Sequence, residues 1–115
     1  STHFDQSFDP SNRIAQADFL NQVLAADDGN APNILAGDLN TRTETEVMQI
    51  LGQRWADVFN ASYPLGRSGR PEVRVDYVLA RPLSNWRIVD SRAIDDRLAS
   101  DHRPVLVELE WIGKK

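Results

Sequence analysis

Two stretches of the chain repeat apolar residues at the three-to-four spacing of an amphipathic helix. The first begins at Ser11 or Asn12, either of which can serve as an N-cap. Its apolar positions are Ile14, Ala17, Leu20, Val23 and Leu24. The second follows the capping-box spacing of Thr43 and Glu46, and Gly52 is a natural end for it. The pattern therefore predicts two helices.

Shorter apolar runs predict β-strands. Residues 33–36 form a buried strand that runs directly into residues 37–40, and three further strands are expected over 73–80, about 86–94 and 104–111. The last one alternates, with Val105, Val107, Leu109 and Trp111 on one face and Glu108 and Glu110 on the other. Helices between the early strands, followed by consecutive strands, predict a mixed α/β, layered (α+β) architecture.

Composition narrows the class of protein. The chain has 115 residues, enough for one domain, and its 41% hydrophobic content is sufficient for a core. The net charge of −4 argues against a non-specific nucleic-acid binder, which needs a broad basic face. The absence of cysteine excludes disulfides, thiolate metal sites and cysteine nucleophiles. No apolar run is long enough to span a membrane. Residues 60–72, which are rich in Gly and Pro, are expected to form a mobile loop.

A first polar cluster, Gly37-Asp38-Leu39-Asn40, follows the predicted strand 33–36 directly. If the backbone stays extended, Asp38 and Asn40 share one side of it. An ionised Asp there can orient a water molecule or bind a metal, and the Asn amide can hold a phosphoryl oxygen. An ordinary Asx turn between a strand and a helix explains the same residues and, for this cluster alone, is the commoner case.

A second cluster, Arg74-Val75-Asp76-Tyr77, lies within a predicted strand. Asp is depleted in strand interiors, so Asp76 requires a partner. An edge strand with Asp76 in water, or an Arg74–Asp76 pair on one face, would satisfy that carboxylate without any chemistry.

A third cluster, Ser100-Asp101-His102-Arg103-Pro104, stands at the start of the last strand. An imidazole beside a carboxylate at that place suits a proton donor or a phosphate contact. Ser100, Asp101 and His102 cannot form a hydrolase triad, because neighbouring side chains diverge along the backbone. A surface turn with a solvated His also fits this segment.

In this order the clusters resemble the endonuclease/exonuclease/phosphatase superfamily, the metal-dependent phosphoesterases that include DNase I-like nucleases, sphingomyelinases and inositol-phosphate phosphatases. GDLN is similar to the family's Gly-Asp-x-Asn motif, RVDYVLA to its Arg-Ile-Asp-Tyr strand, and SDHRPVLVEL to its closing Ser-Asp-His-x-Pro-Val strand. The opening STHFD resembles a Thr-His-Leu segment, and NRIAQADFL an Arg-x-x-Gln helix. The resemblance runs from Thr2 to about Trp111.

The resemblance implies catalytic roles at matching positions. His102 would contact or protonate the scissile phosphate, and Asp76 would pair with His102 and orient it. Asp38 would position or deprotonate the attacking water, with Asn40 on a phosphoryl oxygen. Such a set places an in-line water and offsets charge on the equatorial oxygens.

Two further positions complete the implied site. His3 would be a second imidazole that stabilises the phosphate, and Asp101 would contact a metal ion. Mg²⁺ or Mn²⁺ is the expected cofactor, because these cations take carboxylate oxygens.

The family domain is a four-layered DNase I-like β-sandwich flanked by helices, and its first sheet carries an Asn and the principal metal-binding Glu. Neither motif is found in this sequence, so residues 1–115 are expected to form the C-terminal half of one such domain without its N-terminal half. The isolated chain is then expected to be inactive and to associate with that missing half or with a second copy of itself, because its last sheet would otherwise expose an apolar face.

The expected function is hydrolysis of a phosphodiester or a phosphomonoester by in-line attack of water, with a divalent metal ion. A nuclease acting on DNA or RNA is an alternative that the acidic charge disfavours. A non-catalytic remnant that serves as an interaction module is another, although such a module has no need to keep this set of polar residues. The sequence gives no indication of localisation or of the particular substrate.

Overall fold

The computed structural model describes residues 1–25, 30–59, 74–96 and 98–113. The predicted loop over 60–72 lies outside these ranges.

The predicted helices and strands are found, and the structure adds a two-residue strand, Ala56–Asp57, which the sequence pattern did not predict. In chain order they are β1 (Thr2–His3), α1 (Ser11–Ala25), β2 (Asn33–Asp38), α2 (Glu46–Gly52), β3 (Ala56–Asp57), β4 (Asp76–Arg81), β5 (Trp86–Ala93) and β6 (Val105–Trp111). The mixed α/β class is confirmed. Strand β4 begins later than the expected 73–80, and β2 extends two residues beyond the expected 33–36, to Asp38.

The strands of the described segments form a four-stranded sheet in the order β1-β2-β4-β3 and a two-stranded sheet of β5 and β6. Strand β1 runs parallel to β2, whereas β2 and β4 are antiparallel. In this register His3 lies opposite Asp38, and Asp38 lies opposite Asp76. Strands β1, β2 and β4 therefore bring His3, Asp38 and Asp76 together at one edge of the larger sheet, where these strands begin or end.

The core lies where the two helices cover the four-stranded sheet. Its buried apolar residues are Phe4, Ala17, Leu35, Leu39, Val47, Leu51, Trp55, Tyr77 and Leu79. Burying a side chain such as Leu or Phe contributes about 1.5–3 kcal/mol, so this cluster stabilises the layer from which the polar edge projects.

The buried face of α1 differs from the predicted apolar stripe. Val23, expected in the core, is 53% exposed, whereas Arg13 and Asn21 are buried with Ala17. These three residues lie four apart and share one face. The two polar members have partners there: Arg13 Nη1 donates to the carbonyl of Asp5 at 3.1 Å, and Asn21 Nδ2 donates to a carbonyl in α2 at 2.6 Å.

The start of α2 also differs from the prediction. The N-cap is Thr45 rather than Thr43, and its side chain makes no capping hydrogen bond. The Thr45 hydroxyl instead donates to the carbonyl of Arg42 at 2.9 Å. The helix ends at Gly52, as expected.

None of the helices in the described ranges is both long enough and apolar enough to cross a membrane.

Candidate functional site

Gly37 brings β1 against the end of β2. Its φ of 151° lies in a region that L side chains rarely adopt, and a Cβ atom added there would be 1.8 Å from the carbonyl oxygen of Thr2. The absence of a side chain therefore permits the close approach of β1. As a result His3 Nε2 lies 3.5 Å from Asp38 Oδ2, although the His3 side chain is 70% exposed.

Asn40 closes the turn that follows β2. Its φ of 48° is left-handed, and its backbone N–H donates to Asp38 Oδ1 at 2.9 Å, which is an Asx turn. The chain is therefore not extended from Asp38 to Asn40, so the condition for placing both residues on one side is not met and the alternative of an Asx turn is confirmed. Asn40 Nδ2 donates to the carbonyl of Phe4 at 2.7 Å, so its amide ties the residue after β1 to this turn.

A short hydrogen bond joins the second and third polar clusters. His102 Nδ1 lies 2.8 Å from Asp76 Oδ2, and both side chains are 21% exposed. An ionised carboxylate only accepts hydrogen bonds, so Nδ1 carries the proton. This contact fixes the orientation of the ring and turns Nε2 away from Asp76.

Two carboxylates flank the other nitrogen of the ring. His102 Nε2 lies 3.9 Å from Asp38 Oδ2 and 3.9 Å from Asp101 Oδ1. Asp38 is largely shielded, with 17% of its side chain exposed, whereas Asp101 is 72% exposed. Beside them lies a cavity of about 370 Å³. The cavity is lined by Ala36, Gly37, Asp38, Asp76, Tyr77, Val78, Ser100, His102, Arg103, Pro104 and Val105.

Arg74 does not pair with the Asp76 carboxylate, as one interpretation of the sequence would have it. Its guanidinium binds Asp57 in β3 through two hydrogen bonds, of 2.6 and 2.9 Å, while its Nε donates to the backbone carbonyl of Asp76 at 3.2 Å. Sequence reasoning missed Asp57. The available signal was a lone carboxylate within an otherwise apolar run from Trp55 to Phe59.

Tyr77 is a buried side chain that connects β4 to the turn after β2. Its hydroxyl donates to the carbonyl of Thr41 at 2.8 Å, and its ring is 2% exposed. Burial raises the pKa of the Tyr77 phenol above its ordinary value, because the charged form would lose its hydration. The turn after β2 and the start of β4 are thereby joined through a neutral side chain.

The donor atoms of the site include a group that could hold a metal ion. One ligand atom each from Asp38, Asp76 and His102 lies within 4.8 Å of the others. Within this group, Asp76 Oδ2 and His102 Nδ1 are already joined by a hydrogen bond. Asp38 and Asp76 offer the hard oxygen donors that Mg²⁺ and Mn²⁺ prefer, so this group fits such a cation, whereas Asp101 is not part of it.

An imidazole held by one carboxylate and flanked by others, at the edge of a sheet in a mixed α/β domain, is typical of hydrolytic sites. The model of the Endonuclease/Exonuclease/phosphatase family matches residues 5–102, and the chain belongs to that family. The family includes hydrolases that act on phosphate esters, and its members are generally metal-dependent. No curated protein matches the chain at a significant level.

Several solved structures share the fold. A functionally unknown conserved protein from Enterococcus faecalis V583 has 18% identity and a TM-score of 0.76, with 96% of this chain and 48% of that chain covered. An endonuclease/exonuclease/phosphatase from Bacteroides vulgatus has 19% identity and a TM-score of 0.76, with coverages of 95% and 47%. A mannosyl-6-phosphatase from Bacteroides thetaiotaomicron VPI-5482 has 19% identity and a TM-score of 0.69, with coverages of 95% and 49%.

These likenesses confirm the expected DNase I-like fold class. The chain spans about half the length of the solved structures it matches. At identities below 20%, the likeness concerns the fold alone.

Proposed function

We propose that the domain to which this chain contributes hydrolyses a phosphate ester by in-line attack of water. The observation that supports it most is the arrangement around His102. Asp76 holds Nδ1 at 2.8 Å, which leaves Nε2 beside the cavity with Asp38 3.9 Å away. One ring nitrogen is thus reserved for orientation and the other for the substrate.

In the proposed reaction, Asp38 accepts a hydrogen bond from the attacking water and takes its proton as the new P–O bond forms. The bond from phosphorus to the leaving oxygen breaks on the opposite side, and that oxygen keeps the electron pair and takes a proton from solvent water. With both ring nitrogens protonated, His102 contacts or protonates a phosphoryl oxygen through Nε2–H, while the Asp76 carboxylate accepts from Nδ1–H and stabilises the imidazolium. Donors fixed before the reaction stabilise the transition state without reorganising.

His3 and Asn40 would assist at the same edge. His3 lies 3.5 Å from Asp38 and is exposed, so its ring can reach a phosphate placed over that carboxylate. The Asn40 amide uses one hydrogen for the carbonyl of Phe4, and its second hydrogen is the donor proposed for a phosphoryl oxygen.

The proposed cofactor is Mg²⁺ or Mn²⁺. Asp101 would contact it, as the family resemblance implies, and Asp38, which belongs to the donor group of Asp38, Asp76 and His102, would assist. When bound, the cation supplies positive charge that offsets the charge on the phosphoryl oxygens. Two carboxylates bind Mg²⁺ only weakly on their own, so further ligands from the rest of the domain belong to the proposal.

Hydrolysis assays on the intact protein test this proposal. The substrates are bis-p-nitrophenyl phosphate, p-nitrophenyl phosphate, a hexose 6-phosphate and duplex DNA, each with Mg²⁺ or Mn²⁺. The sugar phosphate is included because one solved structure of the same fold is a mannosyl-6-phosphatase. We expect turnover of a small phosphate ester that His102→Gln reduces by about 10²–10⁴-fold, the usual contribution of a positioned acid or base.

The other outcomes decide between the alternatives. Preferential cleavage of DNA or RNA would favour the nuclease, which the net charge of −4 makes the second choice. Absence of turnover on every substrate, from folded intact protein with metal, would favour the non-catalytic interaction module.

The sheet of β5 and β6 supports a proposal about partners. Trp86 pairs with Trp111 and Ile88 with Leu109, so these side chains share one face, and the two Trp rings are 5.0 Å apart. Ile88 remains 42% exposed. A two-stranded sheet is marginally stable by itself. We therefore propose that further strands cover this face, supplied by an N-terminal half of a family domain or by a second copy of the chain.

The mass of the 115-residue chain in solution tests that proposal, together with a hydrolysis assay on the same sample. We expect a dimer, or a stable complex when the other half of the domain is added, and no turnover by the chain alone. A stable monomer with metal-dependent turnover would contradict both expectations.

A further inference from the structure

Arg74 and Asp57 lie beside the site but touch neither the cavity nor the imidazole directly. Their contact has the fork geometry of a bidentate ion pair, with Nη1 2.6 Å from Oδ2 and Nη2 2.9 Å from Oδ1. The Arg74 side chain is 15% exposed and that of Asp57 33%, so the pair is shielded from water more than an ordinary surface pair.

Aromatic rings hold the guanidinium in place. Its central carbon lies 4.3 Å from the ring centre of Tyr77 and 5.1 Å from that of Phe59. The Tyr77 ring is itself buried, and its hydroxyl donates a hydrogen bond to the carbonyl of Thr41. The position of Arg74 is therefore determined on three sides.

The backbone pairing of β3 with β4 stops before the start of β4. Among the described residues, the last backbone contact on that side is the hydrogen bond from Val58 N–H to the carbonyl of Val78, at 3.1 Å. Asp76 lies two residues beyond this contact. There Arg74 Nε donates to the Asp76 carbonyl at 3.2 Å, while Nη1 of the same guanidinium donates to the Asp57 carboxylate. The Arg74 side chain thus links β3 to the start of β4.

We propose that Arg74, clamped by Asp57, is a positioning residue for the Asp76–His102 pair. It fixes the backbone of Asp76 on the β3 side, whereas β2 fixes it on the other side through the pairing with Asp38. With its backbone held on both sides, the Asp76 carboxylate is aimed at His102 Nδ1. This inference rests on the proposed function, since the pair it positions is the proposed catalytic pair.

The test reads the Asp76–His102 hydrogen bond without any substrate. His102 and His3 are the only histidines of the chain, so His102→Gln identifies the His102 imidazole signals in ¹H–¹⁵N NMR spectra of the full chain. The readout is the rate at which the Nδ1 proton exchanges with water. It is measured in wild type, Arg74→Lys and Asp57→Asn, with Arg87→Lys as the matched control. Arg87 makes an ion pair with Glu110 on the other sheet, far from this edge in the strand pairing.

We expect exchange to be about tenfold faster or more in Arg74→Lys, because lysine has neither the fork nor the Nε donor. This figure is the lower end of the roughly 10–100-fold that hydrogen-bond partners behind metal-ligating residues contribute to affinity or activity. Asp57→Asn keeps Arg74 but breaks the fork, so we expect a smaller increase, and we expect none in Arg87→Lys. In the intact protein, kcat should fall about tenfold in Arg74→Lys while KM changes by less than about twofold.

A purely structural role predicts something different. In that case Arg74→Lys and Asp57→Asn lower the stability, but the folded molecules keep the wild-type exchange rate, and this result would overturn the proposal. A wild type without a protected Nδ1 proton would overturn it too. If Arg74→Lys does not fold, the exchange rate in Asp57→Asn alone tests the proposed role of Arg74. If the wild type has no phosphoesterase activity, the proposed function fails, but the exchange rates still show whether Arg74 and Asp57 position the Asp76–His102 pair.

Discussion

Replacing Gly37 by Ala tests how β1 is held at the candidate site. The new Cβ would lie 1.8 Å from the carbonyl oxygen of Thr2, whereas Cβ contacts below 3.0 Å are essentially never found. Strands β1 and β2 would therefore have to separate by at least 1.2 Å, the difference between these values. The φ of 151° adds strain that does not depend on the contact.

The expected loss of stability follows from the contacts that change when β1 moves away from β2. Unfavourable backbone strain costs about 1–3 kcal/mol. Separation of β1 also weakens the hydrogen bond from Phe4 N–H to the Asp38 carbonyl, worth about 0.5–1.5 kcal/mol. Phe4 is 3% exposed and would lose part of its packing, for which complete removal costs about 3–5 kcal/mol. We expect Gly37→Ala to lower the free energy of unfolding by about 2–5 kcal/mol.

Urea unfolding followed by tryptophan fluorescence measures this difference, with Gly52→Ala as the matched control. A Cβ at Gly52 meets no heavy atom within 4 Å, and Ala is favoured over Gly in a helix by about 0.5–1 kcal/mol. The control should therefore be neutral or slightly stabilising. Equal stability of the two variants would refute the close approach of β1, and with it the placement of His3 beside Asp38.

Other expectations concern the core, alkaline pH and the metal ion. Leu51→Ala should cost about 2–5 kcal/mol in urea unfolding, because Leu51 is fully buried, whereas Ile112→Ala, at a 55% exposed position, should cost about 0.5 kcal/mol or less. Because the pKa of Tyr77 is raised in the folded state, its neutral phenol contributes fully to stability below the ordinary pKa near 10. This contribution is lost as the pH rises through the folded-state pKa. Tyr77→Phe should accordingly lose stability less steeply than wild type above about pH 10, and parallel curves would count against this coupling. Chelation by EDTA should abolish hydrolysis by the intact protein and Mg²⁺ or Mn²⁺ should restore it, so undiminished turnover in EDTA would contradict the metal requirement.

Local sequence pattern predicted most of the elements, because their patterns and boundary residues lie within the elements themselves. The alternating residues of β6 and the end of α2 at Gly52 are examples. The turn at Asn40 shows the limit of this reasoning. Spacing alone allowed an extended strand or an Asx turn, and the hydrogen bond to Asp38 Oδ1 that decides between them depends on the backbone at that point.

Contacts between distant segments were predicted less evenly. The pairing of Asp76 with His102 was expected only from the family resemblance, since 26 residues separate the two side chains. One interpretation of the sequence paired Arg74 with Asp76, but its side chain binds the carboxylate of Asp57, 17 residues away. A neighbour in sequence is a poor guide where a short strand such as β3 supplies a carboxylate with better fork geometry.

The Asp76→Asn variant of the intact protein provides the most direct test of the proposed catalytic pair. Its amide can still contact His102 Nδ1 but carries no charge to stabilise the ring when both nitrogens are protonated. Asp90→Asn is the control, because Asp90 pairs with Arg92 on the other sheet. We predict that kcat on a phosphate ester falls by about 10²-fold or more in Asp76→Asn, with KM nearly unchanged, and that Asp90→Asn behaves as wild type. Wild-type kcat in Asp76→Asn would contradict the assignment of Asp76 and His102 as the catalytic pair.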